Sequence, residues 1–371
     1  MSQVIKKQIE TKALELGFHN VKFISAKPLL ESEAKFLEWR KRGYAADMNY
    51  LLKNDPINAR PEFLLEDAKT IIMFTANYYS KCPPRPSPYH GRIAAYATGL
   101  DYHKVLRKKI KDLVEDKELE NIFAKSKFFT DAVPLLEKSF AAKSGLGFRG
   151  KNSLLISRET GSFNFIAEII TDLDLLGDEP EYDLNTQIGC GECFRCSDIC
   201  PTDALPDAYQ LDARKCISYH TIENRNEIPE ELGKNFAEWF FGCDLCQTIC
   251  PYNKKAARTG DLKTLKEFLP EAGFGHWLDM REILDFENDK HQTIKELEKA
   301  FTKHRFIDND AEKLIFKYLE KQTEVNDEVL DHCFRLKFAK TPLLRPKRQG
   351  LIRNAKIVLN NSATECQLSH S

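Results

Sequence analysis

The cysteines of this sequence fall into a pattern that suits iron–sulfur chemistry. Eight of the eleven lie between Cys190 and Cys250. The first run has the spacing of bacterial ferredoxins with two clusters and reads Cys190-x2-Cys193-x2-Cys196-x3-Cys200-Pro201. The second run lacks one early cysteine, for which Cys216 is available, and reads Cys243-x2-Cys246-x3-Cys250-Pro251. Thiolates at this spacing bind [4Fe–4S] clusters, so the sequence predicts a redox protein.

In two-cluster ferredoxins the fourth cysteine of a run crosses to the other cluster, and the same rule uses all eight thiolates here. It assigns to the first cluster Cys190, Cys193, Cys196 and Cys250. It assigns to the second cluster Cys200, Cys216, Cys243 and Cys246. Structural zinc is the alternative, because paired cysteines also bind zinc tetrahedrally. We assign no role to the three cysteines that lie far from these runs, Cys82, Cys333 and Cys366.

The composition is that of a globular protein that is expected to stay in the cytoplasm. Hydrophobic residues make up 42% of the 371 residues, and charged residues make up 30%. The N-terminal residues form no apolar signal segment, and no run approaches the roughly 20 apolar residues that span a bilayer. Disulfides are disfavoured in the cytoplasm, so clustered thiols there usually ligate metal. Because the net charge is −1, a polyanionic partner must be bound by a local basic patch.

Hydrophobic periodicity predicts a mixed α/β domain over residues 1–180. Helices are expected at residues 2–16, 103–117 and 134–144. Strands are expected at residues 69–79, 154–157 and 163–171, the last two joined across residues 158–161. The glycine-rich stretch at 145–156 has neither a GxGxxG motif after a strand nor a Walker A motif, and it predicts no nucleotide site.

Residues 181–258 form the cysteine-rich module, which we expect to be ferredoxin-like, with metal replacing much of a conventional core. Beyond it the pattern becomes helical, with helices expected at residues 293–304, 309–322, 327–335 and 345–359. These short helices predict a HEAT-like helical tail over residues 259–361, without a clean repeat period. Residues 362–371 are expected to be disordered. The predicted fold class is α+β.

Six stretches of the sequence form an ordered set of motifs. They are YATGLDYH at 96–103, TDAVPLLE at 130–137, GLGFRGKNSLLI at 145–156, LDARKCISY at 211–219, FGCDLCQ at 241–247 and RPKRQGLIRNA at 345–355. With these motifs the chain closely resembles the epoxyqueuosine reductase family over nearly its whole length. It departs from the family at Tyr252-Asn253, where Trp-Asn is more common, and it matches loosely over residues 261–292.

The resemblance implies a reductase that converts the epoxide of epoxyqueuosine into the cyclopentene of queuosine, at the wobble base of tRNAs with a GUN anticodon. It also implies a cobalamin that the first domain cradles between the first cluster and the substrate base. By this resemblance the candidates for cobalamin contacts are Arg60, Gly150, Asn152, Ser153, Leu155, Ser218 and Asp244. Each of them could instead be an ordinary loop residue. No DxHxxG segment supplies a lower axial histidine, and we assign no metal to His103 or His220.

Loss of the epoxide oxygen needs a general acid, since an alkoxide leaves poorly unless it is protonated. Asp131 matches the catalytic aspartate of the family and is our candidate for that acid. Enclosure between the corrin and the base is expected to keep it protonated. The alternative is that Asp131 only caps the helix that begins near Pro134.

A run of basic residues near the C-terminus predicts a surface for RNA. From Arg335 to Lys356 there are eight basic residues and no acidic one. The candidates for contacts with the anticodon stem-loop are Lys340, Arg345, Lys347, Arg348, Arg353, Asn354 and Lys356. A solvated helical face is the alternative. The electron donor is expected to be a low-potential carrier such as ferredoxin or flavodoxin, and the protein is expected to be a monomer that binds no membrane.

Two other functions are compatible with the cysteine pattern. A corrinoid iron–sulfur reductive dehalogenase shares cobalamin and two clusters, but such enzymes usually carry an export signal and need no basic C-terminal run. A ferredoxin-type electron carrier needs neither the large first domain nor an acid such as Asp131.

Overall fold

The chain divides into two units, each built from three separate segments. A computed structural model describes residues 2–52, 59–119, 121–131, 133, 135–177, 189–259 and 262–368. The first unit comprises Met1–Tyr79, Tyr102–Arg214 and Leu245–Leu265. The second unit comprises Ser80–Asp101, Lys215–Asp244 and Lys266–Ser371.

Nine strands and fourteen helices lie along the described residues. The strands are β1 (Asn20–Ser25), β2 (Thr70–Asn77), β3 (His90–Ile93), β4 (Ser126–Phe129), β5 (Phe148–Arg149), β6 (Leu155–Ile156), β7 (Asn164–Thr171), β8 (Trp239–Phe241) and β9 (Trp277–Asp279). The helices are α1 (Ser2–Glu15), α2 (Leu30–Lys41), α3 (Tyr102–Val114), α4 (Glu137–Lys143), α5 (Arg195–Asp198), α6 (Ile217–Ile222), α7 (Glu230–Gly233), α8 (Leu245–Thr248), α9 (Pro251–Thr259), α10 (Met280–Leu284), α11 (Ile294–Phe301), α12 (Asn309–Leu319), α13 (Asp327–Lys337) and α14 (Lys347–Leu368). Short 3-10 helices lie at Asn49–Leu51, Pro61–Phe63, Ala95–Ala97, Lys234–Phe236, Lys266–Phe268, Pro270–Ala272 and Pro342–Leu344.

The first unit is built on an antiparallel four-stranded sheet in the order β1-β2-β7-β4. Strand β2 is buried along its whole length, which explains why its sequence is mostly apolar. On one face of the sheet, Phe140 of α4 packs in one cluster with Met73 and Ile170. On the other face, Tyr102 at the start of α3 stacks on Phe165 with ring centroids 4.3 Å apart. The sheet is therefore covered by helices on both sides.

Most of the elements predicted for this unit are confirmed. The helices predicted at residues 2–16 and 103–117 are α1 and α3, and the strand predicted at residues 69–79 is β2. The helix predicted at residues 134–144 is the shorter α4, and position 134 lies outside the described residues. The strands predicted at 154–157 and 163–171 are β6 and β7, but they do not pair with each other. Strand β6 pairs with β5, and β7 pairs with β2 and β4.

The second unit combines a three-stranded sheet with helices α10 to α14. The sheet has the order β8-β3-β9, in which β3 runs parallel to β8 and antiparallel to β9. Aromatic side chains form much of the core: Phe286 lies 5.0 Å from Phe301 and 5.7 Å from Phe334, measured between ring centroids. Within the described ranges, no helix combines the length and the hydropathy needed to cross a membrane.

Side-chain caps begin three of the tail helices. Thr293 and Glu296 form a capping box at the start of α11. Asp308 accepts a hydrogen bond from the main chain of α12, and Asn326 does so for α13. The four helices predicted in this region are confirmed as α11 to α14. Helix α14 continues to Leu368 and so overlaps the segment that was expected to be disordered.

The hairpin of β5 and β6 is packed so closely that position 147 requires glycine. A Cβ atom on Gly147 would overlap the main-chain carbonyl of Ile156. Between these two residues the chain carries Asn152 and Ser153, so the close approach also determines where their side chains lie.

Gly147→Ala is expected to lower the free energy of unfolding by about 1–3 kcal/mol, because overpacking against main chain forces the hairpin apart. Urea denaturation followed by circular dichroism measures the change. Gly233→Ala is the matched control, because Gly233 has a helical φ of −60° and a new Cβ there makes only an ordinary contact with Ile357 at 3.5 Å. The control is expected to be neutral or stabilising. Equal stability of the two variants would contradict the packing argument.

Candidate functional site

Four of the predicted thiolates line one cavity in the first unit. The cavity has a volume of about 120 Å³, and its wall includes Cys190, Cys193, Cys196 and Cys250 together with Ile156 and Tyr252. Four thiols are the donor set of an iron–sulfur cluster, so the residues present fit the group that the sequence predicts. In the described ranges, no three His, Cys, Asp or Glu side chains converge on a point where a single metal ion could be held.

Turns and short helices place these thiols. The positive φ of Gly191, 50°, lets the chain turn directly after Cys190. Cys196 lies in the single-turn helix α5, and Cys250 immediately precedes α9. The main-chain N–H of Lys151 donates to the sulfur of Cys190 over 3.4 Å. Burial raises the pKa of the thiols of Cys196 and Cys250, so a bound metal is needed to hold them as thiolates at neutral pH.

The other four predicted ligands are divided between the two units. Cys200 and Cys246 belong to the first unit, where the sulfur of Cys200 accepts a hydrogen bond from the main chain of Ala204 over 3.4 Å. Cys216 and Cys243 belong to the second unit, where Cys216 directly precedes α6. The assignment of these four thiols to one cluster stays a prediction.

Asp131 lies on the loop that follows β4, where two neighbours contact its carboxyl and a third contacts its main chain. The hydroxyl of Tyr102 donates to Oδ2 over 2.5 Å, and Nε2 of His103 lies 3.8 Å from the same oxygen. The main-chain N–H of Asp131 donates to Oε1 of Glu137 over 2.8 Å. This anchor holds the residue at a φ of 47°, a conformation that costs energy for a side chain with a Cβ. The carboxyl itself is 65% exposed, so a substrate can reach it.

The structure contradicts the alternative in which Asp131 only caps a helix. Helix α4 begins at Glu137, and Leu136 stands at its cap position without a side-chain hydrogen bond. The carboxyl of Asp131 instead faces Tyr102 and His103 of α3.

Sequence reasoning missed two acidic residues next to Asp131. Glu168 lies in the middle of β7 and is fully buried, and neither of its carboxyl oxygens has a hydrogen-bond partner among the described residues. Glu137, the first residue of α4, is partly buried beside it. A signal was available, because the β7 sequence NFIAEIIT places one glutamate inside an otherwise apolar run.

Five residues predicted to contact cobalamin belong to the first unit. Asn152 is buried, and its amide donates to the carbonyl of Cys246 over 3.2 Å. The hydroxyl of Ser153 is buried without a hydrogen-bond partner among the described residues, and its φ is 64°. Leu155 is buried, and a Cβ on Gly150 would meet the side chain of Ile156. The fifth is Arg60, whose guanidinium donates two hydrogen bonds of 3.0 Å to the carboxylate of Glu33.

The last two candidates for cobalamin belong to the second unit. Asp244 is buried, and its Oδ2 accepts a hydrogen bond from the main chain of Ala95 over 2.7 Å. Ser218 lies in α6 and is partly buried. Asp244 therefore has a structural contact of its own, whatever else it binds.

Most of the residues predicted to bind RNA already have partners within the second unit. Arg348 is 3% exposed and donates to Asp327, to Asp331, to Asn288 and to the carbonyl of Phe286. Asn354 is 1% exposed, and its amide donates to two main-chain carbonyls.

The remaining cations of this set lie nearer the surface. Each of four contacts a group from elsewhere in the unit: Lys340 contacts Asp308, Arg345 contacts Glu223, Arg353 contacts the carbonyl of Asn226, and Lys356 contacts Glu287. Lys347 is exposed and has no partner among the described residues. Binding of RNA by these residues stays a prediction, and Lys347 is the candidate with a free charge.

Two family models match parts of the chain. The model described as "4Fe-4S double cluster binding domain" matches residues 189–253, and it supports two [4Fe–4S] clusters. The model described as "Epoxyqueuosine reductase QueG, DUF1730" matches residues 59–132, which include Asp131.

Relatives and solved structures agree with these matches. An epoxyqueuosine reductase from Cellulophaga algicola is 44% identical over 249 residues, 66% of this chain and 78% of that protein. One from Escherichia coli is 36% identical over 296 residues, 79% of this chain and 75% of that protein.

The crystal structure of an epoxyqueuosine reductase with a tRNA-Tyr epoxyqueuosine-modified stem loop has a TM-score of 0.74, over 98% of this chain and 82% of that chain, at 23% identity. The epoxyqueuosine reductase of Streptococcus thermophilus has a TM-score of 0.73, over 96% of this chain and 81% of that chain, at 26% identity. The predicted mixture of helices and sheets is thereby confirmed.

Arg348→Ala is expected to lower the free energy of unfolding by about 2–3 kcal/mol, because it removes charge-assisted hydrogen bonds from a buried guanidinium. Lys347→Ala, one position earlier and exposed, is expected to change it by less than about 0.5 kcal/mol. Urea denaturation of both variants gives the comparison. A stable Arg348→Ala protein would mean that the guanidinium is not needed for folding.

Proposed function

This chain belongs to the epoxyqueuosine reductase family, and from that premise we propose that it reduces the epoxide of epoxyqueuosine in tRNA to the alkene of queuosine. The observation that carries the proposal is the likeness to epoxyqueuosine reductases over two thirds or more of the chain. The site agrees chemically, because an exposed carboxyl lies in the same unit as a cavity lined by four thiols.

We propose that three consecutive parts of the chain have different functions. Residues 1–180 form the cobalamin-binding catalytic part, residues 181–258 form the ferredoxin-like module with two clusters, and residues 259–361 form a HEAT-like helical tail that binds tRNA. This functional division differs from the two structural units, because each unit takes segments from several of these parts.

Two [4Fe–4S] clusters, when bound, would supply single-electron transfer from a low-potential donor such as ferredoxin or flavodoxin. In this proposal Cys190, Cys193, Cys196 and Cys250 hold the first cluster, and their shared cavity supports that assignment. Cys200, Cys216, Cys243 and Cys246 hold the second cluster. Two clusters bound this way use every cysteine between positions 190 and 250.

The proposed second cofactor is cobalamin, which when bound supplies a cobalt centre able to take up electrons one at a time. The buried hydroxyl of Ser153 supports this proposal, because a buried polar group without a partner is costly and the amides around a corrin can satisfy it. Asn152 and Leu155 lie on the same loop and strand and would bind the group with it. Arg60, Gly150, Ser218 and Asp244 complete the proposed set.

Asp131 is the proposed general acid. Converting an epoxide into an alkene and water takes two electrons and two protons, and both C–O bonds break. The oxygen leaves as an alkoxide unless a proton reaches it. Tyr102 and His103 hold the carboxyl of Asp131 in one orientation, and the hydrogen bond from its main chain to Glu137 holds the loop.

We propose that tRNA is bound by the basic C-terminal run, with Lys347 as the free cation and Lys340, Arg345, Arg353 and Lys356 at its surface. Arg348 and Asn354 support that surface from beneath, since both are buried. A monomer in the cytoplasm, where tRNA is modified, completes the proposal.

Cys196→Ala is expected to lose about half of the bound iron, because one of two clusters is left with three ligands. Iron quantitation after anaerobic reconstitution measures the loss. Cys82→Ala is the matched control, since Cys82 lies outside both runs and is not expected to lower the iron content. Full iron content in Cys196→Ala would remove this cysteine from the ligand set.

Anaerobic reconstitution with iron, sulfide and cobalamin tests the whole proposal. A reduced protein is given an RNA stem-loop that carries epoxyqueuosine, and mass spectrometry of the nucleosides is expected to detect loss of one oxygen atom. Asp131→Asn is expected to lower turnover by about 10²- to 10⁴-fold with unchanged iron, cobalamin and RNA binding. No queuosine from the wild-type protein would overturn the function, and full turnover by Asp131→Asn would overturn only the role of this acid.

A further inference from the structure

The most unusual group in the first unit is the carboxyl of Glu168. Strand β7 places it between Ile166 and Ile170, which point to the same face of the sheet. Its neighbours across the sheet are also apolar, because it lies opposite Met73 of β2 and Phe129 of β4. The side chain is fully buried, and no described residue forms a hydrogen bond of good geometry with either oxygen. An ionised carboxylate at this position would be very costly, so the group is held as the neutral acid.

Glu137 connects this buried acid to Asp131. It is the first residue of α4, which packs on the same face of the sheet, and its Oε1 accepts the hydrogen bond from the main chain of Asp131. Burial, with a smaller contribution from the charge of Asp131, raises the pKa of Glu137 to about 8. Burial first, and then the side chain of Glu137, raise the pKa of Glu168 well above its usual range. At neutral pH both groups therefore carry protons.

Few charges act on this pair. Lys138 follows Glu137 in α4 and is the nearby cation, and Arg149 acts on Lys138 in turn. On the far side of Asp131, Tyr102 and His103 of α3 contact its carboxyl. In the same row of the sheet, the exposed Lys22 of β1 lies beyond the buried Met73. Within the described part of the chain, none of these groups forms a hydrogen bond with the carboxyl of Glu168.

We propose that Glu137 and Glu168 form a proton store that reprotonates Asp131 and so supplies the second proton of the reaction. This inference rests on the proposed function, in which one turnover uses two electrons from the donor and two protons. Asp131 gives the first proton to the epoxide oxygen as the first C–O bond breaks. A proton from Glu137 then passes to Asp131, directly or through one water, and Glu168 restores the proton of Glu137. The second proton from Asp131 lets the oxygen leave as water, and solvent refills the store.

The alternative is that Glu137 only positions the loop of Asp131. Glu137→Gln separates the two roles, because the amide oxygen can still accept the hydrogen bond from the main chain of Asp131 but the side chain has no acidic proton. A positioning role predicts wild-type turnover and an unchanged pH profile for this variant. The proton store predicts a kcat about tenfold lower at pH 7, with KM unchanged, because one proton-transfer group is missing.

The pH profile of kcat gives the second comparison. In the wild-type protein, kcat is expected to fall as pH rises through about 8, where Glu137 loses its proton. Glu137→Gln is expected to lose this alkaline limb, and Glu137→Asp is expected to recover part of kcat. Asp172→Asn is the matched control, because Asp172 follows the same strand about 13 Å beyond Glu168 and should behave as wild type. A wild-type profile in Glu137→Gln overturns the proposal.

Infrared spectroscopy of the full reconstituted chain tests the store without turnover. A band from protonated carboxyls is expected at pH 7, and Glu137→Gln and Glu168→Gln are each expected to weaken it while Asp172→Asn retains it in full. Absence of the band in the wild-type protein overturns the proton store even if queuosine is formed. If the band is present but no queuosine is formed, the proposed function is overturned. The two carboxyls are then protonated, but they supply no proton to this reaction.

The pH dependence of thermal stability tests independently whether Glu137 and Glu168 are protonated in the folded protein. Between the ordinary glutamate pKa of 4.5 and the raised pKa of about 8, the folded protein binds more protons than the unfolded chain. Stability therefore falls as pH rises through this window. Glu137→Gln and Glu168→Gln are each expected to flatten that fall and to raise the Tm at pH 8 relative to wild type. An equally steep fall in both variants counts against protonated carboxyls at these positions.

Discussion

Between Cys190 and Asp203 no residue is buried, although this stretch carries four of the proposed cluster ligands. A segment without buried apolar side chains gains too little from the hydrophobic effect to offset the conformational entropy that it loses on folding. Bonds between metal and thiolate supply the missing stability in such modules. The loop of Asn152 and Ser153 is tied to the same stretch by the hydrogen bond from Lys151 to Cys190. The proposed clusters therefore have a folding role as well as an electron-transfer role.

The acidic residues near β4 divide into exposed and buried members, and this division decides what each can do. Asp131 is exposed, so its carboxyl can meet a substrate. Glu168 is buried and keeps its proton at neutral pH, but it cannot meet a substrate. Glu137 lies between these two environments and contacts the main chain of Asp131. Proton transfer to a substrate that excludes water is easier when the reactive acid has such protonated neighbours.

Local signals in the sequence predicted the elements but not how they combine. The caps at Thr293, Asp308 and Asn326 are short-range patterns, so the tail helices could be found from sequence alone. The cysteine spacing likewise predicted four thiols that do line one cavity. Strand pairing is a long-range property, and so β6 and β7 could be located from sequence but their partners β5 and β2 could not. Burial of Glu168 depends on three strands and a helix from distant parts of the sequence, which no local pattern reports.

The basic C-terminal run illustrates the same difficulty for charge. The sequence contains eight cations from position 335 to position 356. The acidic residues that neutralise several of them lie outside this range. Glu223, Glu287 and Asp308 each contact one cation of the run. A paired cation attracts a phosphate less than a free one does, because the nearby carboxylate repels it. Removing a paired cation also leaves that carboxylate uncompensated, so weaker RNA binding in such a variant can arise from the protein alone. Contacts with RNA must therefore be assigned from cations whose removal leaves the fold unchanged, and the exposed Lys347 is expected to meet that condition.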